Sequence, residues 1–256
     1  MSTDVTPQPL ALCAKGLGFH VGGVRILDNV ELAVATGSFL GVIGPNGAGK
    51  TTLLNLLSGV VRASEGSVEI EGRDVTREGP ARRARRGVGR TFQTSSLFNS
   101  LSVFENARLS AQARFGGSAK FWRLPRASDD ASAAAHGALE RVGLTSQAAR
   151  IAGGLSHGDK RKLELAILLA GEARVLLLDE PMAGVNSEDV PALTALIDQL
   201  HGEGRTVIMV EHHMSVVVGL ADTIAVLDSG RILAVGDPET VIANDDVQSA
   251  YLGQPL

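Results

Sequence analysis

The chain opens on an alternation. Residues 10–35 place apolar and polar side chains in turn around Gly22-Gly23, and this period of two predicts a β-hairpin. Phe39, Leu40, Val42 and Ile43 then form a short apolar run, as expected of a buried strand. Leu53, Leu54, Leu56 and Leu57 follow at helical spacing, and Gly59 ends that run. Residues 66–78 predict another short strand pair, Ser67-Val68-Glu69-Ile70 and then Gly72-Arg73. Residues 100–150 are alanine-rich and predict helices. A further amphipathic helix carries Leu163, Ala166, Ile167 and Ala170 on one face. Val175 to Leu178 and Thr206 to Val210 have the continuous apolar character of buried parallel strands, with a helix over 188–203 between them. Val216 to Ala221 and Ile224 to Leu227 add a helix–strand step. Ser229-Gly230-Arg231 predicts a hairpin turn, and residues 237–253 a helical tail. Strands alternating with helices place the chain in the α/β class.

The polar residues at the ends of these elements carry the chemistry. Between the first apolar strand and its helix lies Gly44-Pro45-Asn46-Gly47-Ala48-Gly49-Lys50-Thr51-Thr52, which fits G-x-x-x-x-G-K-[ST]. Glycines let backbone N–H groups turn toward phosphate oxygens with no Cβ in the way. Lys50 brings a cation to the β- and γ-phosphates, and the Thr51 hydroxyl suits Mg²⁺. A strand, a glycine loop and a helix N-terminus together make an anion site. Val175 to Leu178 ends in Asp179-Glu180, at the carboxyl end of a strand where open α/β sheets hold their ligands. Asp179 suits a Mg²⁺-linked role, and Glu180 suits a base that polarises water. Thr206 to Val210 likewise ends in Glu211-His212-His213. One of those histidines could reach a γ-phosphate or orient water, but adjacent residues of an extended segment point to opposite faces.

Other positions stay ambiguous in the residues alone. Phe19 fits a strand core or an aromatic face for a purine. Gln93, after Thr91-Phe92, is a candidate for metal or water contact. Ser156, ahead of a helix, fits a plain N-cap or a second phosphate site. Arg82, Arg83, Arg85, Arg86 and Arg90 form a basic run expected to be a solvated helix face. The segments Arg114-Phe115-Gly116-Gly117 and Lys120 to Pro125 break the helical period. They fit a local cap on the helical region or a surface for a membrane partner.

Composition narrows the classes. The 256 residues suffice for one large α/β domain or a domain with an inserted lobe. A net charge of −4 gives no bulk attraction to nucleic acid. Cys13 is the only cysteine, which excludes internal disulfides and fits a reducing cytosol. Met1 to Pro9 lacks the apolar core of a signal peptide. No apolar run approaches the roughly 20 residues of a membrane helix, so a membrane role is expected to come through partners.

Taken in order, these stations resemble the nucleotide-binding subunit of ABC transporters. Gly44 to Thr52 matches Walker A, and Gln93 the Q-loop. Leu155-Ser156-His157-Gly158-Asp159 resembles the LSGGQ signature. Val175 to Asp179 with Glu180 matches Walker B and its catalytic glutamate. Met182-Ala183-Gly184-Val185-Asn186 occupies the D-loop, His212 the H-loop and Phe19 the adenine-stacking A-loop. The resemblance is closest to the ATPases of branched-chain amino acid importers and their urea and amide relatives. It is carried by Gly89-Arg90-Thr91-Phe92-Gln93, the insert around Phe121-Trp122, Ala183-Gly184, and Val247 to Gly253. The departures are His157 and Asp159 in the signature, Val185-Asn186 in the D-loop, His213 for aspartate, and phenylalanine at position 19.

The resemblance implies a P-loop NTPase (RecA-like) core with an antiparallel β subdomain and an inserted helical subdomain. Residues 10–93 and 160–236 would form the core with the β subdomain, 94–159 the helical subdomain with the signature, and 237–256 a C-terminal helical tail. It implies ATP and Mg²⁺ as cofactors. ATP would be bound by Phe19, Gly44, Asn46, Gly47, Gly49, Lys50, Thr51, Thr52, Ser156 and Gly158. The metal would be held by Thr51, Gln93 and Asp179. Glu180, His212 and Gln93 would serve hydrolysis. The expected partners are a second cassette, either a sister chain or another copy, and transmembrane permease subunits. A substrate-binding protein outside the membrane would take part indirectly, and no nucleic acid would. The chain would sit on the inner face of the cell membrane. Lipid or lipopolysaccharide export, or a soluble ABC ATPase without a membrane partner, are the alternative functions.

Overall fold

The computed structural model describes residues 8–93, 96–114 and 130–250. The insert around Phe121-Trp122 and the terminal Tyr251-Leu252-Gly253 lie outside these residues. The alternating opening is a hairpin of β1 (Leu10–Val21) and β2 (Val24–Ala35), paired antiparallel. Gly22 and Gly23 take φ of 55° and 85°, the left-handed values that a two-residue hairpin turn requires. The chain falls into two compact units, one formed by residues up to Arg83 with those from His201 onward, the other by Ala84–Leu200.

In the first unit, β3 (Phe39–Ile43) is buried along its whole length and leads into α1 (Lys50–Ser58). β4 (Glu65–Ile70) pairs antiparallel with β1, and β5 (Arg73–Asp74) with β4, giving a sheet of order β2-β1-β4-β5. Its core is built from Leu12, Ala14, Leu17, Leu27, Val30, Leu32, Val68 and Ile70. α2 (Pro80–Arg85) follows.

The basic run is corrected at α2. Arg82 and Arg85 are exposed, but Arg83 is 2% exposed. Its guanidinium donates to the carbonyls of Leu56 (2.6 Å), Leu57 (2.8 Å), Val75 (2.9 Å), Thr76 (3.3 Å) and Glu78 (3.0 Å). The last carbonyls of α1 lack intrahelical partners and form the negative end of its dipole, and Arg83 answers both needs. Burial pulls its pKa below the ordinary arginine value. Gly59, at φ 76°, makes room for it: a Cβ there would lie 2.7 Å from Glu78 O and 2.8 Å from Arg83 Nε.

The second unit begins with β6 (Val88–Arg90). After it come α3 (Val103–Arg114), α4 (Asp130–Arg141) and α5 (His157–Ala170), which pack on one another. Ser102 and Glu105 start α3 with a capping box. Ser102 Oγ accepts the Glu105 N–H, and the Glu105 carboxylate accepts the Ser102 N–H. β7 (Val175–Asp179) pairs parallel with β6 and is buried throughout. α6 (Val190–Gly202) then returns the chain to the first unit. There β8 (Thr206–Val210) and β9 (Thr223–Asp228) flank β3, both parallel to it, with α7 (Met214–Leu220) between them in sequence. β10 (Arg231–Gly236) closes a hairpin on β9, and α8 (Pro238–Ile242) and α9 (Asp245–Ala250) follow.

Candidate functional site

The phosphate loop hangs between the carboxyl end of β3 and the first turn of α1. Gly44, Gly47 and Gly49 have φ of 154°, 83° and 103°. A Cβ on Gly44 would fall 1.9 Å from Leu227 O, and one on Gly49 2.7 Å from a Leu27 methyl, so close packing as well as backbone torsion demands glycine. A Cβ on Gly47 would meet nothing within 4 Å, so the loop is open at that point. Lys50 is 6% exposed, and its ammonium donates to Gly44 O at 2.6 Å and Pro45 O at 3.0 Å, folded over its own loop. The structure thus brings together Gly44, Asn46, Gly47, Gly49, Lys50, Thr51 and Thr52 as a glycine-rich loop running into a helix N-terminus. That arrangement fits a polyphosphate.

His212 stands in the same unit, two residues after the end of β8. It is exposed, and the turn that presents it is pinned by Glu211, which is 2% exposed. The Glu211 carboxylate accepts the N–H groups of His212 (2.8 Å) and His213 (3.2 Å) and lies 3.0 Å from His213 Nδ1. His213 turns back on Glu211. Phe19, on β1 opposite Leu27, is half-buried, so one part of its ring stays accessible.

In the second unit the carboxylates lie where β7 ends. Asp179 is 1% exposed and ion-paired at 3.0 Å with Arg90, whose side chain is only 6% exposed. Burial lowers the Arg90 pKa, and Asp179 opposes that shift. Arg90 also lies over the Phe92 ring, 4.9 Å from its centroid. Glu180 takes φ 47°, in the left-handed region that a non-glycine residue enters at a cost of about 1–3 kcal/mol. Gln93 Nε2 donates to Glu180 Oε2 at 3.0 Å, so Gln93 and Glu180, apart by most of the helical region in sequence, meet.

The signature segment starts α5. Ser156 is its N-cap, and its hydroxyl accepts the Asp159 N–H at 3.1 Å. Asp159 accepts from Gln147 Nε2 at 3.0 Å, which ties the departure from glutamine into the helical region. A Cβ on Gly158 would lie 3.0 Å from Asp189 Oδ2, so glycine lets α5 approach the segment ahead of α6.

Sequence reasoning missed three supports of these stations. The sequence places Arg90 in a run expected to be solvated, shows Glu211 as one of several polar residues, and does not set Arg161 apart. For Glu211 a signal existed: a carboxylate directly after an apolar strand and directly before the histidine.

Residues 27–183 match the ABC transporter family. The chain belongs to that family.

As an ABC ATPase it is 39% identical over 255 residues to the high-affinity branched-chain amino acid transport ATP-binding protein LivG of Escherichia coli strain K12. That match covers 96% of this chain and 99% of LivG. It is also 39% identical over 247 residues to BraF of Pseudomonas aeruginosa, named for the same transport, covering 94% and 96%. Among solved structures it superposes on an ATP-binding cassette of an ABC transporter in its ADP conformation. The TM-score is 0.85 at 28% identity, covering 97% of this chain and all of that one. A nucleotide-free cassette gives 0.83 at 28% identity. The chain is therefore an ATPase of the nucleotide-binding cassette type. Among the described residues no helix is long and apolar enough to cross a membrane.

Proposed function

We propose that this ABC ATPase is a cassette of an importer for branched-chain or related amino acids. The observation that carries it is the resemblance to LivG over 96% of the chain at 39% identity. Residues 94–159 then serve as the helical subdomain that docks on transmembrane permease subunits, on the inner face of the cell membrane. A substrate-binding protein outside the membrane delivers the cargo.

Two cassettes, this chain with a sister or with another copy, close head to tail over ATP. Gly44, Asn46, Gly47 and Gly49 present amides to the phosphates. Lys50 leaves its carbonyl partners to offset phosphate charge, and Thr52 lines the same cradle. Phe19 stacks on the adenine with its accessible face. Ser156 and Gly158 of one subunit meet the γ-phosphate held by the other. A bound Mg²⁺ would neutralise phosphate charge, and Thr51, Asp179 and the Gln93 side-chain carbonyl are hard oxygen donors of the kind it takes. Glu180 polarises the attacking water, Gln93 aims the Glu180 carboxylate, and His212 fixes the geometry of the γ-phosphate. Closure is a ligand biasing a bistable interface, and hydrolysis releases it.

The test is purification of the tagged chain from membranes of its own host, with identification of what accompanies it. Permease subunits and an amino-acid-binding protein are expected. Recovery with a lipid-export system, or as a solitary soluble protein, would overturn the proposal.

A further inference from the structure

Arg161 lies in the second turn of α5, five residues after Ser156, and is 6% exposed. A buried guanidinium must be matched donor by donor, because a buried unpaired charge is strongly unfavourable. Here the matching is complete enough to name. Nη1 donates to Phe92 O at 3.0 Å and to Glu164 Oε2 at 2.9 Å. Nη2 donates to Gln93 O at 2.8 Å and approaches Ala183 O at 3.4 Å. Glu164, also 6% exposed, supplies the compensating charge.

Those acceptors belong to three segments. Phe92 and Gln93 lie in the loop after β6, whose side chain Gln93 holds Glu180. Ala183 lies in the turn that begins at Glu180. Glu164 lies on α5, the helix that Ser156 caps. One planar group therefore ties the signature helix, the Q-loop backbone and the turn after the catalytic glutamate. An apolar side chain could fill the same volume but would give up the hydrogen bonds to two adjacent loop carbonyls. A lysine would bring the charge as a single point, whereas the rigid fork spans both carbonyls at once.

We propose that Arg161 is the positioning residue that couples the Ser156 end of α5 to the Gln93–Glu180 pair. The inference rests on the two-cassette closure proposed above. When a second cassette's ATP engages Ser156 and Gly158, α5 and the Q-loop backbone move as one body through this fork. Gln93 then holds Glu180 in its working orientation only when the signature is engaged. Hydrolysis in one site thus becomes conditional on occupation of the other, and the coupling is reciprocal for binding.

The experiment uses the full chain, with any sister cassette that co-purifies, as wild type and as R161M, R161K and E164Q. ATP binding is titrated with a fluorescent ATP analogue, and hydrolysis is followed against ATP concentration. R161M is expected to bind within about twofold of wild type, because the phosphate loop sets the affinity, while kcat falls about tenfold or more. Its Hill coefficient is expected to fall from about two toward one. R161K should recover part of kcat and little of the cooperativity. E164Q keeps the fork and loosens its anchor, so it shifts the same quantities less and remains informative if R161M fails to fold. An R161M protein with wild-type kcat and Hill coefficient overturns the proposal. So does binding that weakens by the same factor as kcat, which marks a merely structural residue, and so does an unchanged E164Q where R161M is insoluble. Non-cooperative hydrolysis by the wild type would instead sink the two-cassette closure and this coupling with it, whereas a cooperative wild type beside an equally cooperative R161M sinks the coupling alone.

Discussion

Replacing Arg83 by methionine should destabilise the fold without touching a nucleotide contact. Methionine fills much of the same volume and removes the donors. Four good hydrogen bonds disappear, at 2.6, 2.8, 2.9 and 3.0 Å, together with a longer one at 3.3 Å. A hydrogen bond from a charged donor contributes about 1.5–3 kcal/mol net, so the gross loss is roughly 6–12 kcal/mol. Two effects offset it. The guanidinium no longer has to be desolvated, which returns several kcal/mol, on the order of half the gross loss. The carbonyls of Leu56 and Val75 also keep backbone partners, Gly59 N at 3.2 Å and Glu78 N at 2.8 Å. A net loss of about 3 kcal/mol remains, which for a chain of this size lowers Tm by roughly 10 °C.

The assay is thermal unfolding followed by circular dichroism, checked by urea titration, in which the midpoint should fall at constant slope. Arg83→Lys should lie between wild type and Arg83→Met, nearer the latter, because one ammonium cannot reach carbonyls on three segments. If Arg83→Met unfolds within about 2 °C of wild type, the cage is decoration and the energetic reasoning is wrong.

Glu180→Gln should still bind ATP while hydrolysis falls by about a hundredfold or more, with an ATP-bound dimer accumulating on gel filtration; full turnover would remove Glu180 from its role. Lys50→Ala should weaken ATP binding itself, measured by equilibrium titration, and unchanged affinity would refute the cradle. Phe19→Ala should weaken ATP binding by roughly 1–3 kcal/mol if the ring stacks on adenine, whereas unchanged affinity would assign Phe19 to packing alone. Asp28 hydrogen-bonds Arg25 and Arg231, and its carboxyl is held below the ordinary aspartate value, first by Arg25 and then by Arg231. A depressed folded value means its stabilisation is complete above the ordinary aspartate range and is lost as pH falls through the folded value. Asp28→Asn should therefore flatten the acid limb of the stability profile, and an unaltered limb would refute that linkage.

The phosphate loop, its strand and its helix were legible because everything they need is contiguous. Gly44 to Thr52 carries torsions, charge and hydroxyl within one turn of chain, and β3 and α1 announce themselves by period. The order of strands and helices was legible for the same reason. The meeting of Gln93 with Glu180 was only implied by resemblance, because it depends on a parallel pairing of β6 with β7 that neither segment encodes alone. For Phe19 the two readings stand side by side, because half-burial on β1 suits packing and stacking alike.

Two residues read as solvated, Arg83 and Arg90, and one passed over, Arg161, share a cause. Arg83, Arg90 and Arg161 each sit in a run of cations, and a run of cations is normally a solvated face. What singles them out is not on their own element. Arg83 meets the spent end of α1, Arg90 meets Asp179, and Arg161 meets the Q-loop carbonyls. In each case a loop or helix end presents carbonyls or a carboxylate that bond to a side chain from outside their own segment. Apolar packing could not satisfy those acceptors, and a flexible ammonium would satisfy them one at a time. An arginine fork from a neighbouring element satisfies several together and fixes their relative position. The sequence signal for such a residue is therefore indirect: an arginine in a basic run, one to three residues from a motif whose backbone leaves regular secondary structure. By that criterion Arg90, three residues before Gln93, and Arg161, two after Asp159 at the end of the signature segment, are findable only once the motifs beside them have been assigned a backbone conformation.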